Sequence, residues 1–172
     1  ERRRQRSRAP ARRTGVIATL PMYDRREIRA ATDSLWQAIR AALGYGPAQL
    51  TRHADPWPLW RDQNLLLGQT CGLPYRRQLA KHVKYVGTPD YGLKGCPPGY
   101  YASVFIASRD ANLSEFHDKT FAYNEPLSQS GWAGPIEHLR RHSIRPSRCV
   151  RSGAHQNSAR FVAEGQADFA AI

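Results

Sequence analysis

Three small residues stand where a strand-like run leads into a helix-forming segment. Ser128, Ser130 and Gly131 follow the apolar run 121–123. The first amides of a helix have no intrahelical partners and lie at the positive end of the helix dipole. Serine hydroxyls beside such amides form an oxyanion site that needs no Lys or Arg, and Gly131 allows a close approach to the backbone. Plain N-capping by serine is the simpler alternative.

A second polar segment has the same placement between a strand-like piece and a helix. It contains His155, whose imidazole can donate to an anionic oxygen from either ring nitrogen. A solvated loop histidine is the simpler alternative, and Ser158 is expected to cap the helix that follows. Thr70 and Cys71 also follow an apolar run, as does Tyr23. Ligands of open α/β sheets bind beyond the carboxyl ends of strands, so these segments are expected to converge on one cleft.

Alternating strands and helices position these residues. The pattern predicts strands at 16–20, 65–67, 83–86, 101–107, 121–123, 149–150 and 168–172, and helices at 26–43, 75–82, 113–117, 130–141 and 157–164, with a turn at Gly72–Pro74. Such alternation predicts a mostly parallel α/β sheet, or two of them. The aperiodic, Gly- and Pro-rich stretch around 91–99 predicts a crossover between a first lobe at 15–90 and a second lobe at 100–172.

Composition and charge narrow the classes of function. The 172 residues are 41% hydrophobic, which suffices for a packed core, and no apolar run is long enough to cross a membrane. Residues 1–13 contain seven Arg and one Glu, half of the net charge of +12. This tail, placed at 1–14, is expected to be disordered, and it lacks the apolar region of a signal peptide. Nucleic-acid binding through the tail is an alternative, although no nucleic-acid-binding motif accompanies it.

The cysteines leave two alternatives open. Cys71, Cys96 and Cys149 form no CxxC motif, so neither a structural zinc site nor another cofactor is expected. A Cys71–Cys96 disulfide and three unpaired thiols are both compatible with the spacing. A second hypothesis is an enzyme that uses Cys71 as nucleophile and His155 as base.

Five segments in a fixed order suggest a family. They read IATLPMYDR, QTCGLPY, VGTPDYGLKGCPPGYYASV, FAYNEPLSQSGW and GAHQNSARFVAEGQADFAAI. From about Val16 to Ile172, the chain resembles the phosphate/phosphite/phosphonate-binding proteins of ABC importers, which are type 2 periplasmic binding proteins. The resemblance implies two α/β lobes that close on an oxyanion in the cleft between them.

The resemblance also implies roles for individual residues. Ser128, Ser130 and Gly131 match the Ser/Thr-rich helix start of the family, and His155 matches its loop histidine. Thr70 and Cys71 match the binding loop of the first lobe. Tyr23 and Tyr101 are expected to wall the cleft.

Partners and location follow from the same resemblance. It implies a non-catalytic protein with a small oxyanion ligand and a membrane ABC permease as partner, and no nucleic acid. It implies a periplasmic location, with a cytoplasmic one as the alternative. In the family the strand matching 167–172 returns to the first lobe, so the chain is expected to break at Ile172 and leave that lobe incomplete. The exposed seam would favour homo-oligomers.

Overall fold

The computed structural model of the protein describes residues 15–172. The Arg-rich tail at 1–14, with its expected disorder, lies outside the described residues. The chain divides into two compact units, the first ending at Thr70 and the second comprising Cys71–Ile172. The assignment of 15–90, 91–99 and 100–172 to a lobe, a crossover and a second lobe remains a prediction.

The first unit pairs two parallel strands with one long helix. Strand β1 (Ile17–Thr19) pairs with β2 (Leu65–Gly68). A 3₁₀ turn (Arg26–Ile28) leads into α1 (Arg29–Leu43), and α2 (Trp57–Trp60) precedes β2. Helix α1 ends at Gly44, whose φ of 75° lies in the left-handed region where glycine carries no Cβ penalty.

The core of the first unit lies between β1 and α1. Ala18 and Trp36 are fully buried and pack with Leu20 and Leu50. The Trp36 indole N–H donates to the Pro47 carbonyl at 3.1 Å, so this large side chain is buried with its polar group satisfied. Helix α1 contributes Trp36 to this core, whereas Leu35 and Leu43, which share the apolar spacing expected to face it, are exposed.

The second unit is built on a four-stranded sheet with the order β3-β6-β4-β5. Its strands are β3 (Phe105–Ala107), β4 (Thr120–Tyr123), β5 (Arg148–Arg151) and β6 (Phe169–Ala171). Strand β4 pairs in parallel with both β5 and β6, whereas β3 pairs antiparallel with β6. The sheet is therefore mixed, with two of its three pairings parallel.

Short helices connect these strands. Helix α3 (Gly72–Pro74) continues into a π-helix (Tyr75–Leu79), and a 3₁₀ turn spans Leu113–Phe116. A second π-helix (Gln129–Ala133) continues into α4 (Gly134–Arg141), and α5 (His155–Ala163) precedes β6.

The sheet separates two apolar clusters. Phe121 and Phe169 belong to one, with Leu139 of α4, whereas Ala122 and Ala170 belong to the other, with residues of α5. Successive residues of a strand point to opposite faces, so β4 and β6 each supply one large and one small side chain. The small alanines let α5 pack close to the sheet, which brings its first residue near the end of β4.

Three predictions about individual elements were wrong. Residues 83–86 form no strand, and Tyr85 and Val86 are exposed, because this short alternating segment has neither a pairing partner for its backbone nor a buried face. The strand expected at 101–107 is confined to β3. The segment Gly72–Pro74, expected as a turn, is helical, because proline is tolerated in the first turn of a helix.

Candidate functional site

Ser128 begins the π-helix that follows β4. Its side chain is 7% exposed, and its Oγ accepts a hydrogen bond from the Gly131 amide at 3.0 Å. Its carbonyl accepts from the Ala133 amide at 3.0 Å, which is the five-residue spacing of a π-turn. Ser128 therefore acts as an N-cap residue, because its Oγ accepts from an amide of the helix start. A hydroxyl that accepts in this way still has its own proton to donate to a ligand.

Cys71 meets the same helix start. Its Sγ accepts a hydrogen bond from the Gln129 amide at 3.3 Å, and the Gln129 side-chain oxygen accepts from Arg76 at 2.5 Å. The structure thus brings Cys71 to Ser128, as predicted, although they are far apart in the sequence. Within residues 15–172, no disulfide joins Cys71 to Cys96.

Ser130 and His155 form the central pair of the site. Ser130 Oγ lies 3.1 Å from His155 Nε2, at hydrogen-bond distance. Ser130 is held from behind as well, because its carbonyl accepts from the Ser103 hydroxyl at 3.0 Å. His155 is the first residue of α5, and this places its ring over the end of the sheet.

The half-buried position of His155 favours a neutral ring. Burial lowers the pKa of His155 below its ordinary value, and the backbone of Ala171 opposes this in part. Nδ1 is buried without a hydrogen-bond partner in residues 15–172. In a neutral ring one nitrogen donates and the other accepts, so the tautomer decides which of Ser130 Oγ and His155 Nε2 is the donor in their contact. In the tautomer with its proton on Nε2, the Ser130 hydroxyl proton is left for an external acceptor.

Gly131 is required by packing at this point. A Cβ at Gly131 would lie 2.1 Å from Asn124 Oδ1 and 2.9 Å from His155 Cε1, closer than real Cβ atoms approach. The sequence indicated glycine here for a close ligand approach, whereas the structure also shows a contact with two neighbouring side chains. Replacing Gly131 would displace the histidine of the site.

The loop before α5 is tied to the end of β4. The Ser152 amide donates to the Tyr123 carbonyl at 2.8 Å, and the Ser152 hydroxyl lies 2.6 Å from that of Ser158. Ser158 is fully buried in this pair, and Ala154 is the N-cap residue of α5, so the expectation that Ser158 caps the helix was wrong. These bonds fix the position of His155.

Asn124 and Ser152 belong to this site but were not predicted from the sequence. Both directly follow the carboxyl end of a parallel strand, β4 and β5 respectively. The rule that ligands bind beyond such strand ends, applied to every polar residue there, would have found them.

The remaining predicted residues are described within their own units. Tyr101 is 42% exposed in the irregular segment before β3. Thr70 and Tyr23 belong to the first unit, where Thr70 follows β2 and Tyr23 follows β1. Their part in ligand binding remains a prediction.

A basic groove borders the start of the second π-helix. Its volume is about 740 Å³, and its lining combines the Gln129 side chain with charged residues. These charged residues are Arg76, Arg77, Glu137 and Arg141. Glu137 is neutralised by ion pairs with Arg140 and Arg141, each at 2.8 Å. The groove therefore gives the helix start a positive surrounding without placing a cation in the Ser130–His155 pair.

The chain matches a known protein family. A family model described as "ABC transporter, phosphonate, periplasmic substrate-binding protein" matches residues 17–172. The chain belongs to this phosphonate-binding family. No curated protein matches the chain. Membership confirms the type 2 periplasmic-binding-protein fold class predicted from the sequence. The function of the family is transport, and its members have a small-molecule ligand and a membrane permease as partners.

Several observations bear on the other classes of function. Phosphonate-binding proteins of this family are transport components rather than enzymes. The imidazole of His155 pairs with Ser130, and the Cys71 sulfur accepts from the Gln129 amide. No three His, Cys, Asp or Glu side chains within 15–172 are grouped to hold a metal ion. No helix within that range has the length and apolar character of a membrane span.

Proposed function

We propose that this chain is the substrate-binding component of an ABC importer and that it binds a phosphonate, phosphate, phosphite or a related oxyanion. The observation that carries the proposal is the hydrogen bond between Ser130 and His155, formed where a helix begins beyond β4. Ser128, Gly131 and Cys71 complete this part of the site.

Neutral donors suit an oxyanion that must also be released. Hydroxyl groups donate to anionic oxygens in charge-assisted hydrogen bonds, and a neutral imidazole can hold such a hydroxyl in place. No Lys or Arg takes part in the Ser130–His155 or Ser128–Gly131 contacts. A buried ion pair would cost desolvation of both charges, whereas neutral donors leave the ligand charge to be stabilised by oriented dipoles. The affinity for the oxyanion then depends on how the neutral donors are placed around it.

The importer function implies a partner and a location. As the binding component, the chain would deliver its ligand to a membrane permease in the periplasm. Family membership supports this proposal, because proteins of this family are periplasmic components of ABC transporters. Thr70, Tyr23 and Tyr101 are proposed as further ligand contacts by the same membership.

Calorimetry with site variants tests the proposal. Ser130→Ala and His155→Gln should each weaken binding of methylphosphonate or phosphate by about ten- to a hundredfold, the value of a hydrogen bond to a charged group. Ser108→Ala and His142→Gln are matched controls, since both residues are exposed and neither contacts the Ser130–His155 pair. Unchanged affinity in both site variants would remove this pair from the binding site.

A further inference from the structure

Asn124 lies where the loops that carry Ser130 and His155 meet. It directly follows β4, and its carbonyl accepts a hydrogen bond from the Gly153 amide at 3.0 Å. Its backbone is thus fixed between the end of β4 and the loop that enters α5. The direction of its side chain follows from the contacts of its two terminal atoms.

The oxygen of the Asn124 side chain is packed inward. Oδ1 would lie 2.1 Å from a Cβ at Gly131, and His155 Cε1 would lie 2.9 Å from the same point. Since both atoms lie within 3.0 Å of one point, they are no more than about 5 Å apart. Oδ1 is buried without a hydrogen-bond partner in residues 15–172.

The nitrogen of the same amide differs from the oxygen in its burial. Nδ2 makes no hydrogen bond within the described chain and, unlike Oδ1, is not fully buried. An apolar side chain of the same size would fill the space beside Gly131 without the cost of a buried carbonyl that lacks a donor. Packing therefore does not explain an amide here, but an accessible NH₂ group with two protons to donate does.

We propose that Asn124 is a further ligand-binding residue and that its Nδ2 group donates a hydrogen bond to the oxyanion held by Ser130 and His155. This inference rests on the proposed function. The inward oxygen sets the plane of the amide against Gly131, so the nitrogen is presented in a fixed direction. Asn124 supplies a third kind of neutral donor to a site that otherwise relies on hydroxyls, an imidazole and backbone amides.

Two substitutions of similar size separate the donor from the packing. Asn124→Leu fills the same space without a donor, and affinity for methylphosphonate or phosphate should fall about tenfold. Asn124→Asp keeps the shape, but it replaces the donor by a negative charge that repels the ligand, and affinity should fall about a hundredfold or more. Asn112→Asp is the matched control, because it makes the same charge change at a helix N-cap where aspartate is equally favoured.

The outcomes distinguish this inference from the function on which it rests. Loss of affinity in both Asn124 variants, with cooperative melting and an unchanged Asn112→Asp control, supports the assignment. Should Asn124→Asp bind within twofold of the parent chain, Asn124 is not a ligand residue, and the proposed function stands. If the parent chain binds none of methylphosphonate, phosphate and phosphite, both proposals are overturned.

Discussion

Ser130 Oγ and His155 Nε2 lie 3.1 Å apart, although 25 residues separate them in the sequence. The contact exists because β4 and β5 are parallel neighbours, so that the loops after both strands open at the same edge of the sheet. It couples a hydroxyl at a helix start to a half-buried imidazole. A donor pair of this kind is what the proposed oxyanion site requires.

Ser130 and His155 should act as a unit. If His155 holds the Ser130 hydroxyl toward the ligand, removing either residue removes most of the contribution of both. The double variant Ser130→Ala/His155→Gln should therefore lose little more affinity than the single variant with the larger loss. The coupling energy between the two residues should be about 1 kcal/mol or more. Calorimetry on the four proteins measures this coupling, and strictly additive losses would show that the two residues act independently.

Ser128→Ala should affect both stability and binding. It removes the acceptor of the Gly131 amide at the start of the π-helix, which costs about 1 kcal/mol. It also removes a hydroxyl donor of the proposed site. Chemical denaturation and calorimetry on the same preparation separate the two effects.

Ser158→Ala provides the comparison for Ser128→Ala. It breaks the hydrogen bond between the fully buried Ser158 hydroxyl and that of Ser152, at a cost of about 1–3 kcal/mol of stability. The Ser152 amide still donates to the Tyr123 carbonyl, which holds the loop before α5, so the affinity should stay near that of the parent chain. A Ser128→Ala protein with parental affinity would limit Ser128 to capping.

Gly131→Ala should be strongly unfavourable. The added methyl group would overlap Asn124 Oδ1 and His155 Cε1 in a buried position, so overpacking is expected to cost about 1–3 kcal/mol and to reduce affinity. Gly87→Ala is the control, since a Cβ there meets no atom within 4 Å. Thermal melts of both variants test this, and equal melting temperatures would contradict the packing described here.

Stability should depend on pH in two separate windows. Burial lowers the pKa of His155 from its ordinary 6.5, so this imidazole binds a proton less readily in the folded chain than in the unfolded chain. Stability should then fall as pH drops below about 6.5, and His155→Gln should remove this step.

The second window belongs to Glu137. Its pKa is lowered from 4.5 to about 2 by Arg140 and Arg141, so the stability that its ionised form contributes is lost as the pH falls between those values. Melting temperatures from pH 8 to 3 resolve the two windows, and a His155→Gln profile identical to the parent's would contradict the first.

Much of the fold was predictable because it depends on local pattern. Consecutive residues carry the signals for α1, which are its apolar periodicity and its end at Gly44. They also carry the signals for four strands, since β1, β2, β4 and β6 are short apolar runs. The exposed segment at 83–86 was not predictable, because its alternation resembles a strand and only the lack of a pairing partner decides otherwise. The antiparallel pairing of β3 with β6 is likewise a choice between distant segments.

The site was predictable as residue types but not as contacts. Hydroxyls and an imidazole at strand ends have a recognisable chemistry, and on this ground the sequence predicts a site at Ser128, Ser130, Gly131 and His155. The sequence could not show that Gly131 is pressed between Asn124 and His155, because that contact joins three loops. It also could not show that the Cys71 sulfur accepts from Gln129 rather than pairing with the imidazole.

Titration calorimetry shows whether the parent chain binds a phosphorus oxyanion, with methylphosphonate, phosphate and phosphite as ligands and sulfate for comparison. Saturable binding of at least one phosphorus oxyanion, much tighter than that of sulfate and weakened by His155→Gln, is the predicted result. A cooperatively folded chain that binds none of the three phosphorus oxyanions, or binds them with an affinity that His155→Gln leaves unchanged, would contradict the account.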